Sequence, residues 1–459
     1  MYDRSVPCQR EDPLSLLAAL IVPVITSATL MPSVPTSWRA GIYVVEPGST
    51  EAVVDISSRS LFRPASTVKL ITTYLGLDSL GPSYVWETEL LADSSSGELF
   101  LIGAGAPLMS AEQVEIMALE TAAALAPGGS WHLYWDTSLF LDESHCPAWD
   151  EDDWSRVYCP PIEALSVGDN VVQIIVSTMG GALRVWTYPD LPGLSLVNHL
   201  LTSGSGSVST RATGWEDGPP VITLEGTVPA SSRTIIYSPF AGPPAELAGM
   251  LSEALSDAGV EVSGVSAGDA GERDALFTTS VMRSEPLFLI LASMNKWSRN
   301  MVAEMVLRTV SLEAGCIPAS TGAGCDIACS LLSGLAPGLP APILADGSGL
   351  SRLSSLTPRH LAALLEAGIA SLEWGPEFLA TLPVNGVDGT LRSRLCNLPA
   401  GAFRGKTGSL SDTSSIAGIL TAASGRKLIV VLMLEVPEGF TWTARAWQDT
   451  FITWLWENY

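Results

Sequence analysis

Ser66 and Lys69 stand three positions apart in "RPASTVKLIT", where Pro64 suits the approach to a helix and the apolar spacing that follows predicts one. Lysine is scarce in this chain, occurring only as Lys69, Lys296, Lys406 and Lys427. A serine hydroxyl is a poor nucleophile near neutrality unless a neighbouring base takes its proton. Residues three apart share a helix face, so Lys69 is a candidate base once burial or nearby cations lower its pKa from ~10.4. The helix N-terminus would add N–H groups and a positive field suited to an oxyanion. Taken alone, Ser-x-x-Lys equally describes an exposed helical serine and lysine.

Two further stretches change that balance. "KWSRNMVAEM" carries Ser298-Arg299-Asn300 ahead of an apolar helix, and "RGKTGSLS" carries Lys406-Thr407-Gly408-Ser409 ahead of a strand hairpin. S-x-x-K, an S-x-N triplet and K-T-G form the motif set of penicillin-binding proteins and serine β-lactamases. Here they occur in that order, at a helix start, a loop beside a helix, and a strand. Lys296 precedes a motif and reads as a solvated surface lysine.

With these surroundings, and with "ADGSGLSR" at 345–352 and "NGVDGTLRSR" at 385–394, the chain resembles the low-molecular-mass class C penicillin-binding proteins, the D-alanyl-D-alanine carboxypeptidase/endopeptidase family. The resemblance runs from about residue 40 to the C-terminus. It includes "PAWDEDDWSRVY" at 147–158 and "ALSVGDN" at 164–170, and the long separation of Ser66 from Ser298 matches the family's inserted domains. It implies that Ser66 attacks the carbonyl of the penultimate D-alanine with Lys69 as base. Ser298 would pass a proton to the leaving amine, and Asn300 would hold Lys69 and the substrate amide. Lys406 and Thr407 would bind the terminal carboxylate, Gly408 would let the strand lie close to substrate, and the N–H groups of Ser66 and Ser409 would form the oxyanion hole. Peptidoglycan stem peptides are then the substrates and β-lactams the inhibitors. A β-lactamase or esterase on the same fold, or a catalytically silent wall-binding protein, are the competing readings.

One departure is Arg299, where many serine β-lactamases carry aspartate; its side chain is expected to point away from the chemistry. Asp150 to Asp153, between Trp149 and Trp154, read either as a solvated charged turn or as a loop entering the cleft. In the second case the resemblance gives Asp153, with Tyr158 nearby, the amino group of a diaminopimelate side chain. Arg352 would then meet its carboxylate.

The elements that must position these residues follow from the rest of the chain. At 459 residues, 47% hydrophobic and 16% charged, it has ample core for two or three domains. A formal net charge of −24 repels phosphate backbones, which argues against nucleic-acid binding. The expected fold class is α/β (α+β): an antiparallel sheet flanked by helices, built from residues 36–86 and 275–459. Residues 87–274 are expected to form a β-rich insertion of one or two subdomains with a helix near 111–126. Residues 1–35 hold an uncharged apolar run, read as an export signal or as a buried first helix, and no later segment is apolar enough to span a bilayer. An extracytoplasmic or periplasmic location follows from the first option. Cys146 with Cys159, and the cluster at 316–329, are either disulfide partners or buried thiols. The cysteine and histidine spacings fit no zinc pattern, so no metal or other cofactor is expected. The oligomeric state is open.

Overall fold

The computed structural model describes residues 30–215, 218–271 and 275–459. The expected apolar N-terminal run lies outside these residues. The central sheet joins both ends of the chain. It contains β1 (Arg39–Val45), β2 (Ala52–Ile56), β14 (Phe403–Leu410), β15 (Thr413–Thr421) and β16 (Lys427–Glu435), all antiparallel, in the order β14-β15-β16-β1-β2.

β16 shows why this sheet is buried on both faces. Its run "LIVVLML" is wholly apolar, and alternate residues point to opposite sides. Ile429, Val431 and Met433 face one core, while Leu428, Val430, Leu432 and Leu434 face another. The second core is closed by Ala444, Phe451, Ile452 and Leu455 of the C-terminal helix α9 (Thr441–Asn458). The first is closed by α1 (Lys69–Leu80), α4 (Leu287–Trp297), α5 (Asn300–Glu313), α6 (Thr321–Leu335), α7 (Pro358–Ala370) and α8 (Gly375–Thr381). Each fully buried Leu, Ile or Val contributes about 1.5–3 kcal/mol, so this double-sided strand anchors the layer that carries β14.

The middle of the chain forms three further sheets. β3 (Glu87–Asp93), β4 (Glu98–Ile102), β5 (Ser130–Asp136), β12 (Glu261–Ala267) and β13 (Phe277–Arg283) are ordered β12-β5-β4-β3-β13. β4 and β5, and β5 and β12, are parallel. Parallel neighbours need crossovers, and α2 (Ala111–Ala124) lies in one and α3 (Pro243–Asp257) in the other. The insertion therefore contains a mixed α/β layer rather than strands with a single helix. Because β13 pairs with β3, strand pairing with the insertion continues to Arg283, past the expected junction at 274/275. The remaining strands are β6 (Val171–Ser177), β7 (Arg184–Tyr188) and β11 (Arg233–Pro239) in the order β11-β6-β7. Beside them, β8 (Ser195–Ser203), β9 (Ser207–Thr213) and β10 (Val221–Pro229) are ordered β8-β10-β9.

Cys146 and Cys159 are buried free thiols, and Cys316, Cys325 and Cys329 are also free, so neither of the considered bridges is formed. Apolar packing holds the first pair: both belong to a cluster with Phe140, Trp149, Met301 and Met305.

Candidate active site

Three elements meet at Ser66. Residues Ala65–Val68 form one 3-10 turn that runs directly into α1 at Lys69. Ala65 sits at φ +48°, in the left-handed region that a non-glycine residue adopts only at a cost. Gly349 and Gly408 press on this turn from two sides. A Cβ on Gly349 would collide with the Ala65 carbonyl, and one on Gly408 would lie 2.8 Å from the Ser66 nitrogen. Ser415 donates to the Pro64 carbonyl and Thr67 Oγ1 donates to the same oxygen at 2.7 Å, which pins the turn to β15. Ser66 is half-buried and lines a cleft of about 1360 Å³.

Lys69 is fully buried beneath it. Its Nζ donates to Asn300 Oδ1 at 2.6 Å, to the Ser348 carbonyl at 2.7 Å and to Ser66 Oγ at 3.3 Å. Burial disfavours the ammonium and brings its pKa down to about 7, while the Asp346 and Glu304 carboxylates pull the other way. Asp346 accepts from Trp149 Nε1 at 3.1 Å, Ser348 Oγ at 2.7 Å and the backbone N–H groups of Gly349 and Ser351 at 3.1 and 2.9 Å. Glu304 on α5 accepts from the Gly347 N–H at 2.9 Å. Burial first, and Asp346 second, raise its pKa to about 7. The loop "ADGSGLSR" is thus wrapped around one buried carboxylate, and its Ser348 carbonyl receives the Lys69 amine.

Ser298 closes α4 with φ +57°, and Asn300 opens α5. This tight join brings both side chains to the same floor. Asn300 Nδ2 donates to the Tyr158 carbonyl at 2.7 Å. Lys406 Nζ donates to Ser298 Oγ at 2.9 Å and to the Thr407 carbonyl at 2.7 Å. Burial, and secondarily repulsion from Lys69, push the Lys406 ammonium well below its ordinary pKa. Thr407 Oγ1 donates to Thr390 Oγ1 at 2.9 Å. Lys296 is not a solvated lysine: it is part-buried and ion-paired with Asp388, which orders the turn that presents Thr390.

The cleft mouth is built from the loop at 147–158 and the end of β14. Asp153 accepts from Tyr158 Oη at 2.6 Å, and both residues line the cleft. Burial first, then Asp153, push the Tyr158 hydroxyl up to about 12. Arg352 also lines the cleft, donating to Asp412 at 3.1 Å and to Ser411 at 2.5 Å. Arg299 also lines the cleft, where its guanidinium pairs with Asp169 at 3.0 Å. Sequence reasoning missed Glu304, Thr390 and Arg445. Glu304 and Arg308, two charges four apart in the apolar run "NMVAEMVLRTV", were the available signal for a buried polar network. Arg445, near the start of α9, donates to Ser409 Oγ at 2.9 Å.

The same arrangement of chain segments is known elsewhere. Residues 25–452 match the D-Ala-D-Ala carboxypeptidase 3 (S13) family. A D-alanyl-D-alanine carboxypeptidase of Actinomadura sp. (strain R39) is 31% identical over 412 residues, covering 84% of this chain and 76% of that protein. A D-alanyl-D-alanine carboxypeptidase of Haemophilus influenzae is 24% identical, covering 90% and 88%. The crystal structure of penicillin binding protein 4 from Haemophilus influenzae superposes with a TM-score of 0.78 at 22% identity, over 92% of this chain and 97% of that one. Its complex with a β-lactam gives 0.74 at 21% identity, over the same shares. A match that spans nearly the whole sequence, with the three motifs gathered at one cleft, settles the assignment: this chain belongs to the D-Ala-D-Ala carboxypeptidase 3 (S13) family.

Proposed function

We propose that this chain is a serine D-alanyl-D-alanine carboxypeptidase/endopeptidase that cleaves peptidoglycan stem peptides through an acyl-enzyme on Ser66, outside the cytoplasm. The observation that carries the reading is the Ser66–Lys69 pair: a half-exposed hydroxyl 3.3 Å from an amine whose pKa is brought down to about 7 by burial. A base near the working pH is what general-base activation of a serine requires.

The steps follow from the contacts. Neutral Lys69 takes the Ser66 proton as Oγ adds to the carbonyl carbon of the penultimate D-alanine. The developing oxyanion is received by the N–H groups of Ser66 and Ser409, which Gly408 allows to approach one another. The C–N bond then breaks: the proton that Lys69 took from Ser66 is relayed through the Ser298 hydroxyl, held by Lys406, to the departing amine, which leaves Lys69 neutral and Ser298 intact. Water adds to the ester and gives up a proton to Lys69. The carboxyl product leaves and the Ser66 hydroxyl is restored. Thr407 and Lys406 orient the terminal carboxylate, and Asn300 holds Lys69 and the substrate amide.

Asp153 and Arg352, which both line the cleft, suit a side chain that ends in both an amine and a carboxylate, such as diaminopimelate. A β-lactam presents an acylating carbonyl and a carboxylate in the same relation, so it would acylate Ser66 and deacylate slowly. Among the described residues no helix is long and apolar enough to cross a membrane.

Intact-protein mass spectrometry after mixing with benzylpenicillin, beside Ser66→Ala, tests the reading. A stable adduct of the whole drug on the native chain alone is expected. Rapid drug hydrolysis without an adduct would indicate a β-lactamase, and neither adduct nor hydrolysis would sink the acyl-enzyme proposal.

A further inference from the structure

An antiparallel sheet with one face in solvent ordinarily places polar residues on that face. The sheet β11-β6-β7 departs from this. Val172, Ile174 and Val176 of β6 point into the core of the insertion, so the residues between them face the other way. On that outer face Trp186 of β7 and Ile235 of β11 stand opposite Ile175. Tyr188 and Tyr237 stand opposite Gln173, and Arg184 and Arg233 stand opposite Ser177. Trp186, Tyr188, Ile235 and Tyr237 are each 42–46% exposed. Three aromatic rings and an isoleucine gathered on one solvated face mark an interaction surface.

Two features say which partner fits. The first is charge. None of the three strands contains an aspartate or glutamate, although the chain holds 48 of them and a net charge of −24. The face instead ends in two arginines, with the Arg233 guanidinium 5.8 Å from the Trp186 ring centre. The second is continuity with the cleft. β6 starts at Val171, two residues after Asp169, which lines the cleft and pairs with Arg299. From that end the rows follow as Gln173, Ile175 and Ser177, at steps of about 7 Å. The ladder therefore leads away from the cleft with the tyrosines first, Trp186 next and the arginines last. Tyr188 Oη donates at 2.6 Å to Glu112 of α2, which fixes one ring of the first row.

We propose that the outer face of β11-β6-β7 binds the glycan strand of peptidoglycan and holds it while the cleft works on an attached stem peptide. This rests on the peptidase reading above and extends it to the polymer that carries the peptides. A pyranose ring presents C–H groups on its faces and hydroxyls around its edge. It therefore stacks on an exposed indole or phenol ring while its rim finds polar partners. Gln173, set between two tyrosines, offers both a donor and an acceptor to that rim. The lactyl carboxyls of bare muramyl units, and the free carboxylates of stem peptides, suit the planar forks of Arg184 and Arg233. A repeating polymer also matches a ladder whose rows carry like residues on both edge strands.

The test titrates peptide-free glycan strands, released from peptidoglycan by an amidase, into the native chain, Trp186→Ala, Tyr237→Ser and the double variant. Leu201→Ser is the control, since Leu201 of β8 is an exposed apolar residue on the neighbouring sheet. The native chain is expected to bind. Each single variant should weaken binding roughly three- to tenfold and the double variant more, while Leu201→Ser should stay within about twofold. Cleavage of intact peptidoglycan should fall in parallel. Cleavage of a short soluble peptide ending in D-Ala-D-Ala should be unchanged, which also reports that the variants are folded. No binding by the native chain, undiminished binding by the double variant, or an equal loss in Leu201→Ser overturns the proposal and leaves the peptidase reading intact. A native dimer in analytical ultracentrifugation that Trp186→Ala dissociates would give the face to a second copy of the chain and overturn it too. A native chain that binds glycan but cleaves neither substrate overturns the peptidase reading alone.

Discussion

Lys69 Nζ lies 3.3 Å from Ser66 Oγ on a floor where the amine has no exposed surface. Burial makes the amine a base: it brings the pKa to about 7. Acylation by benzylpenicillin should therefore rise with pH through an apparent pKa near 7 and fall off below it, as Lys69 becomes protonated. Lys69→Arg keeps a cation but cannot act as base, and its acylation rate should drop by ~10³-fold or more. Stopped-flow or mass-spectrometric acylation rates from pH 5 to 9 would check this. A flat profile would remove Lys69 from the base role.

Glu304 opposes that burial, because its carboxylate favours the Lys69 ammonium. Glu304→Gln should shift the acid limb of the acylation profile to lower pH, with a roughly two- to tenfold faster reaction near the foot of that limb. The stability effect has a definite sign. The folded-state pKa of Glu304 is raised from 4.5 to about 7, so its contribution is present below pH 4.5 and is lost as pH rises through 7. Urea unfolding should show Glu304→Gln gaining on the native chain between pH 5 and pH 8. A difference that stays constant with pH would place the titration elsewhere.

The hydrogen bond from Tyr158 Oη to Asp153, 2.6 Å long, aims a carboxylate into the cleft. Asp153→Ala should reduce kcat/KM about tenfold for peptides with a free diaminopimelate amine. Peptides with that amine acetylated should lose less than about twofold. Tyr158→Phe should give a smaller loss of the same selectivity, since it only loosens Asp153. Equal losses on both peptides would mean that the loop is structural.

The residues gathered on the cleft floor were legible because each lies in a short local motif whose spacing is itself the geometry: one 3-10 turn joins Ser66 to Lys69, and one helix-to-helix join carries Ser298 and Asn300. The β16 core was legible for a similar reason, as an unbroken apolar run. What remained hidden depends on distant partners. α3 is the exception: it begins with paired prolines after Gly242, repeats Leu247, Leu251 and Leu255 at a spacing of four and is followed by Gly259, so its signals are local and a helix was readable there. β13 is assigned to the insertion only by its pairing with β3 across nearly two hundred residues. Arg445 sits in no motif at all, and only α9 docking beside β15 brings it to Ser409.

Gly349 tests how far the loop "ADGSGLSR" holds the nucleophile. Its φ is +76°, and an added methyl would meet the Ala65 carbonyl, in the turn that is itself held at positive φ just before Ser66. Gly48 provides the matched control: it has φ +79° with nothing within 4 Å of the added Cβ. Both Ala variants bear left-handed strain, which costs about 1–2 kcal/mol, but only Gly349→Ala adds a collision with backbone that has no flexible end to move aside. Gly349→Ala should therefore be destabilised by on the order of 3 kcal/mol in urea unfolding. Its surviving folded fraction should acylate at least tenfold more slowly, because relief of the collision must displace Ala65 and with it Ser66. Gly48→Ala should acylate at the native rate. If the two variants lose the same stability and both acylate normally, the close approach of Gly349 to Ala65 does not constrain the nucleophile, and the strain at Ala65 has another origin.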